Sequence, residues 1–229
     1  VGTIAGVQPI KAFAPYVYEP NKKELNRTGI NIGKTAAQLL HLGQTKDAIR
    51  IAELAVKLNP TDDRLWSILA EAQVRNNLLE EAIISISKAK ELKPKKAGLW
   101  FAEASLNIQS NKPKVAIYLI NQGLRLQPKN ANGYFQLGNA RIMLEEFKKA
   151  FKAFKKATDI NPKFWEALNN QGLVLFEMDQ RKEAVKTWRQ VITINSNAES
   201  ILALAVGIYI EDQTNQEAFS LAQEALIKN

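Results

Sequence analysis

Residues 131–164 read ANGYFQLGNARIMLEEFKKAFKAFKKATDINPKF. Apolar residues recur three and four apart, first through Tyr134, Leu137 and Gly138, then through Ala150, Phe154 and Ala157. That spacing predicts two amphipathic helices. The adjacent carboxylates Glu145–Glu146 open the second one, where negative charge suits the helix dipole, and Pro162 stops it. The stretch is one copy of many. Pro60, Pro94, Pro128 and Pro162 stand 34 residues apart, and Ser196 takes the next place with Asn195 before it.

Other positions keep the same register. Ala48, Ala82, Ala116, Ala150, Ala184 and Ala218 form one series; Ala36, Ala70, Ala104, Gly138 and Gly172 form a second, broken by Val206. A third runs Ala55, Ala89, Gly123, Ala157, Val191 and Ala225. Small residues at a fixed period mark places where helices cross closely. A fourth series of larger residues, Ile32, Trp66, Trp100, Tyr134, Leu168 and Leu202, fills the gap to the next helix. Breaks at Gly43–Gln44–Thr45, Asn76–Asn77, Asn111–Lys112–Pro113 and Asp179–Gln180 predict short turns between antiparallel helices. The units are 29–62, 63–96, 97–130, 131–164, 165–198 and a partial 199–229.

From residue 29 onward the sequence resembles the tetratricopeptide repeat. Units 131–164 and 165–198 carry the pattern best, through Tyr134, Leu137, Gly138, Ala150, Phe154, Ala157, Pro162, Gly172, Ala184 and Trp188. The first unit departs from it, with Thr35 and Leu39 in place of the usual Leu and Tyr. The resemblance implies an all-α fold, a right-handed superhelix (an α-solenoid) of about six helical hairpins with a concave groove.

Residues 1–28 fall outside the repeat. Pro9, Pro15 and Pro20 exclude one continuous helix, so an extended arm is expected, with Phe13–Tyr18 docking on the superhelix or a partner. The chain begins with Val1 rather than Met, which leaves room for an upstream signal or anchor.

Composition removes several function classes. The 229 residues include no cysteine and a single histidine, His41. Thiolate metal sites, disulfides and cysteine nucleophiles are excluded, as is any multi-histidine metal centre. No cofactor or metal is expected, and no catalytic residue. Glu80–Glu81 and Glu145–Glu146 are helix neighbours that diverge by about 100° and cannot act as an acid/base pair. Gly29–Thr35 mimics a phosphate-binding loop but is one residue short and follows no strand. No apolar run reaches the roughly 18 residues of a membrane-spanning helix.

In the resembling family, the first helix of each unit lines the groove. Mapped onto this chain, the wall comprises Arg64, Glu71, Phe101, Ser105, Phe135, Asn139, Met143, Asn169, Asn170, Leu173 and Phe176, a mixture suited to an extended peptide or a partner helix. Asn139 and Asn170 match two asparagines with which peptide-binding relatives hold a ligand backbone. The flanking lysines and arginine of the carboxylate-clamp version are absent, with Phe135, Ser200 and Leu204 in those places. Trp66, Trp100 and Trp188 are assigned to the core. Phe164 and Trp165, on the loop side, are expected to be partly exposed and to be candidate partner contacts.

Charge supplies a rival reading. The net charge is +8; residues 97–164 hold 11 basic and 4 acidic side chains, whereas residues 199–229 hold 1 and 5. Lys148, Lys149, Lys152, Lys155 and Lys156 form the densest cluster, on a face expected to be convex. It suits an anionic membrane or an acidic protein; nucleic acid is disfavoured, since no exposed aromatics interleave the lysines. The leading expectation is a non-enzymatic scaffold binding a protein or peptide in the groove. The alternatives are a membrane-surface adaptor and the repeat domain of a larger enzyme. Self-association through the terminal repeats is a further expectation. The strings APYVYEPNKKELNRTG, INIGKTAAQLL and FWEALNNQGLVLFEMDQRKEAV resemble tetratricopeptide proteins of cyanobacteria and plastids, which implies a role in assembling photosynthetic complexes at thylakoid membranes.

Overall fold

Five residues spaced by 34, Gly43, Asn77, Asn111, Glu145 and Asp179, adopt positive φ between 55° and 74°. Each ends a helix in the same way. Leu78 N–H donates to the Gln73 carbonyl (2.9 Å) and Asn77 N–H to that of Val74 (3.0 Å). The same pair of bonds forms at Gln44/Gly43, Lys112/Asn111, Glu146/Glu145 and Gln180/Asp179. Helix-end carbonyls are thereby satisfied, and the chain reverses. Gly, Asn and Asp tolerate the left-handed region; Glu145 does so least. Glu145 therefore lies in the turn rather than at the head of the next helix, which starts at Phe147.

The computed structural model describes residues 21–211 and 215–228. Among them are twelve helices in six consecutive pairs: α1 (Lys22–His41) and α2 (Thr45–Leu58), α3 (Asp63–Arg75) and α4 (Leu79–Leu92), α5 (Ala97–Gln109) and α6 (Pro113–Leu126), α7 (Ala131–Ile142) and α8 (Phe147–Ile160), α9 (Trp165–Glu177) and α10 (Arg181–Ile194), α11 (Ala198–Glu211) and α12 (Gln216–Ile227). Each helix packs on its hairpin partner and on the helix that follows. The result is an all-α solenoid.

α1 begins at Lys22, ahead of the expected boundary at 28/29. The reason is local. Asn21 caps the helix by accepting from Lys23 N–H (3.0 Å) and Glu24 N–H (3.1 Å), while Glu24 accepts from Asn21 N–H (3.1 Å). The added turns pack on the array: Asn59 Nδ2 donates to the Asn26 carbonyl (3.4 Å), and Gly29 lies against Asn59. The expected docking of Phe13–Tyr18 lies outside the described residues.

The small-residue series are sockets for large side chains. A Cβ at Gly172 would come within 2.5 Å of the Trp188 indole nitrogen. Gly138 is closed off by Phe154, which is fully buried. Glycine is required at both because a ring edge occupies the place of its side chain. Trp66 and Trp100 serve a second purpose besides packing. Their indole N–H groups donate to the carbonyls of Pro60 (2.8 Å) and Pro94 (2.7 Å), fixing the inter-hairpin loop to the next helix.

The last hairpin departs from this scheme. Val206 and Ala222 stand where internal units pair a small residue with an aromatic or a large aliphatic. Leu202, Val206, Tyr209 and Phe219 are 43–49% exposed, around a depression of about 200 Å³ floored by Ala205, Ala218 and Ala222. Their counterparts Gly172 and Leu175 are buried beneath the following hairpin.

Candidate partner-binding groove

Beyond consecutive neighbours, first helices of adjacent hairpins also touch, α1 with α3 and α5 with α7. The odd-numbered helices thus crowd together on the inner wall, and the even-numbered ones spread on the outer. The expected groove residues sit on the odd helices, but in three different states.

On α3 the polar residues bond to one another. Arg64 forks onto Asp62 through Nε (2.9 Å) and Nη2 (2.6 Å), and Asp62 also caps α3 by accepting from Arg64 N–H (3.0 Å). The Arg64 hydrogen bond holds the Asp62 carboxyl below its ordinary range, against the opposing effect of partial burial. Glu71 pairs with Arg75 (2.6 Å), and Arg75 reaches back to the Leu40 carbonyl (2.9 Å) at the end of α1. Arg64 and Glu71 are therefore already engaged in holding α3.

On α5 the expected floor is lost to the core. Phe101 is only 9% exposed, and its ring stands over Gly123 and Gly133. Two glycines, one in α6 and one in α7, make a slot that draws the ring inward, so Phe101 is a wedge between hairpins and not a groove residue. Ser105 is half-buried. Nearby, buried Glu103 pairs with Lys90 (2.5 Å), whose ammonium also lies 4.7 Å from the Trp100 ring centre.

On α7 and α9 the expected residues meet across adjacent hairpins. Asn170 Nδ2 donates to Asn139 Oδ1 (2.9 Å), so the two asparagines bind each other across adjacent hairpins. Each keeps half of its amide free for a ligand, Nδ2 of Asn139 and Oδ1 of Asn170. On the same two helices, the side-chain carbonyl oxygens of Asn169, Gln136 and Gln171 are buried without a hydrogen-bond partner. Buried acceptors of this kind cost about 1–3 kcal/mol each when unmet. Met143 and Leu173 flank them, 38% and 43% exposed. Phe135 is half-buried against Phe154 (5.9 Å) and Phe164 (5.0 Å), and Phe176 lies between Trp188 (6.0 Å) and the Arg181 guanidinium (5.9 Å).

Phe164 and Trp165 are half-buried in these packing groups, which agrees with the partial exposure expected of them. Gln136 and Gln171 were not among the expected site residues. The sequence does carry a signal for Gln171, which replaces the apolar Leu69 and Leu137 of earlier units.

On the outer wall the lysine cluster of α8 divides. Lys149 pairs with Glu146 (2.7 Å), and Lys155 with Asp159 (3.0 Å). Lys149, then Arg141, donate to Glu146 and lower its pKa. Among the described residues no group of three or more His, Cys, Asp or Glu side chains could hold a metal, and no helix is long and apolar enough to cross a membrane.

Tetratricopeptide-repeat family models match residues 38–97, 131–164 and 166–198, together more than half of the chain. The protein belongs to the tetratricopeptide repeat family. Its fold is similar to that of MamA (TM-score 0.68, 24% identity, covering 76% of this chain and 93% of that one). It is also similar to PilF of Pseudomonas aeruginosa (0.71, 15%, 89% and 90%). A third similar structure is YrrB (0.60, 21%, 78% and 92%), a TPR protein with an unusual peptide-binding site. At these identities the likeness is one of fold. Among curated proteins none matches the sequence.

Proposed function

We propose that the protein is a non-enzymatic interaction scaffold that holds a peptide or helix of a partner protein against α7 and α9. The observation that carries this reading is the Asn139–Asn170 bridge across adjacent hairpins, in which each amide keeps one free half, with Met143 and Leu173 exposed on the same helices. An extended peptide brings a row of N–H donors and alternating side chains. A peptide N–H suits the free Oδ1 of Asn170, a peptide carbonyl suits the free Nδ2 of Asn139, and the side chains suit exposed Met143 and Leu173. YrrB, with its peptide-binding site on the same fold, supports the class of ligand. The process we assign is assembly of a membrane protein complex, of photosynthetic type on the resemblance of the sequence to cyanobacterial and plastid repeat proteins.

The test is a native-extract pull-down with wild type beside Phe135→Ala/Asn139→Ala/Asn170→Ala. Loss of the captured partners, with helical circular dichroism intact, is the expected result. Equal capture by both proteins would remove the groove from consideration. A captured set without membrane-complex subunits would sink the process while leaving the groove in place.

A further inference from the structure

The repeat register places one kind of side chain at one place on three neighbouring outer helices. Lys114, Lys148 and Lys182 occupy equivalent positions on α6, α8 and α10; one turn further on stand Tyr118, Lys152 and Lys186. Lys156 extends the row on α8. All of these side chains are exposed. The pairs found on α8 involve Lys149 and Lys155, one row aside from this set. Together α6, α8 and α10 carry eleven basic side chains and two acidic ones, Asp159 and Glu183, all exposed. Asp159 is occupied by Lys155. Along α8 the lysines stand one helical turn apart, within one Debye length of each other, so their potentials add.

We infer that this lysine lattice is a docking surface for an anionic lipid bilayer. Two features favour lipid over other polyanions. The set is made of lysines, which act as point charges on long stems, whereas the neighbouring arginines Arg181 and Arg189 are committed to Asp179 and Glu217. Lysines suit a diffuse field of headgroups; directional recognition of fixed carboxylates or phosphates favours arginine forks. The lysine rows also run into exposed apolar side chains on the same wall. Tyr118 is 60% exposed, Val115 49% and Ile84, at the equivalent position on α4, 63%. A tyrosine bordered by aliphatics and lysines matches the headgroup boundary, where the ring enters and the hydroxyl stays wet. The lattice lies on the wall opposite the groove, so docking leaves α7 and α9 open to the partner.

The experiment is co-sedimentation of the whole chain with phosphatidylcholine vesicles containing about 30% phosphatidylserine, with pure phosphatidylcholine as control. Binding to the anionic vesicles alone is expected, and its loss between about 0.15 and about 0.5 M salt. Each lysine near the surface contributes roughly fivefold, so Lys148→Gln/Lys152→Gln/Lys156→Gln should weaken partitioning about a hundredfold. The paired lysines, in Lys149→Gln/Lys155→Gln, should matter several-fold less. Tyr118→Ala should weaken binding even at high salt, where charge is screened. The groove variant Asn139→Ala/Asn170→Ala should bind vesicles like wild type, which separates this site from the groove. No binding to anionic vesicles, equal binding to neutral ones, an unaffected triple-lysine variant, or equally tight binding to polyglutamate would overturn the assignment.

Discussion

The inner wall of α3 and the inner wall of α7 and α9 are built at the same repeat positions, yet they end in opposite conditions. On α3, Arg64, Glu71 and Arg75 find partners within the protein and serve as braces. On α7 and α9, Asn139 stands where α3 has Glu71 and Asn170 where it has Ile68; the two asparagines bridge each other with half their capacity, and three side-chain carbonyl oxygens on the same helices are left unmet. A repeat fold can use one register either to fasten hairpins or to hold open a recognition surface. Which it does depends on whether the residue chosen can complete its bonding at home. A charged pair one turn apart closes on itself; an isolated amide in a shallow wall does not.

The largest effect should come from the open half. Phe135→Ala/Asn139→Ala/Asn170→Ala should weaken partner binding about a hundredfold, given roughly 1–3 kcal/mol per lost buried contact. Glu71→Ala/Arg75→Ala should change it by no more than a few-fold, measured by titration calorimetry on the captured partner. If both variants fail equally, the contrast between the two walls is wrong.

Next comes the buried ion pair between α4 and α5. Glu103→Ala leaves the Lys90 ammonium without its carboxylate and should cost about 3 kcal/mol in urea unfolding. Lys90→Leu/Glu103→Leu restores the apolar types found at Leu124 and Leu137, and should be neutral or stabilising. A double variant as unstable as the single one would mean that the pair contributes more than its burial removes.

Asp62 gives a smaller effect with a defined pH dependence. Its folded pKa lies below the ordinary value, so its charge stabilises the fold at neutral pH. That contribution is lost as pH falls through the usual carboxylate range toward the lower folded value. Asp62→Ala should cost about 1 kcal/mol at pH 7. Asp62→Asn keeps the cap and should flatten the acid limb. An identical acid limb in wild type and Asp62→Asn would place the titration elsewhere. The smallest change belongs to the turn of the fourth hairpin: Glu145→Gly should stabilise by about 1 kcal/mol, because glycine accepts the left-handed backbone without strain. A fall in melting temperature would show that Glu145 has a role beyond the turn.

The fold was legible in the sequence because a repeat states its packing several times. The small-residue series, the prolines and the helix breaks each reappear at the same offset, and one degenerate unit is outvoted. The groove was only half legible. Its register followed from the family, but Phe101 could not be placed without seeing that Gly123 and Gly133 converge from different helices on one ring. The mutual bond of Asn139 and Asn170, and the sorting of α8 lysines into paired and unpaired, depend on rotamers that no spacing encodes. The start of α1 was missed for a simpler reason. Prolines mark the upstream chain as non-helical, while the signal that starts the helix, the Asn21–Glu24 capping box, is only four residues long and lies outside the repeat register.

The uncovered face of the last hairpin carries a thermodynamic consequence. In a stack where each hairpin is stabilised chiefly by its neighbours, a unit with one interface opens more readily than a unit with two. Among the described residues α11 and α12 have that single interface, against α10, and their Val206 and Ala222 lack the ring-into-socket lock of Gly172 with Trp188. Amide protons should therefore exchange along a gradient, slowest through α5 to α8 and fastest in α12. Melting becomes an unzipping that enters at α11 and α12 and reaches α9 before it reaches α7.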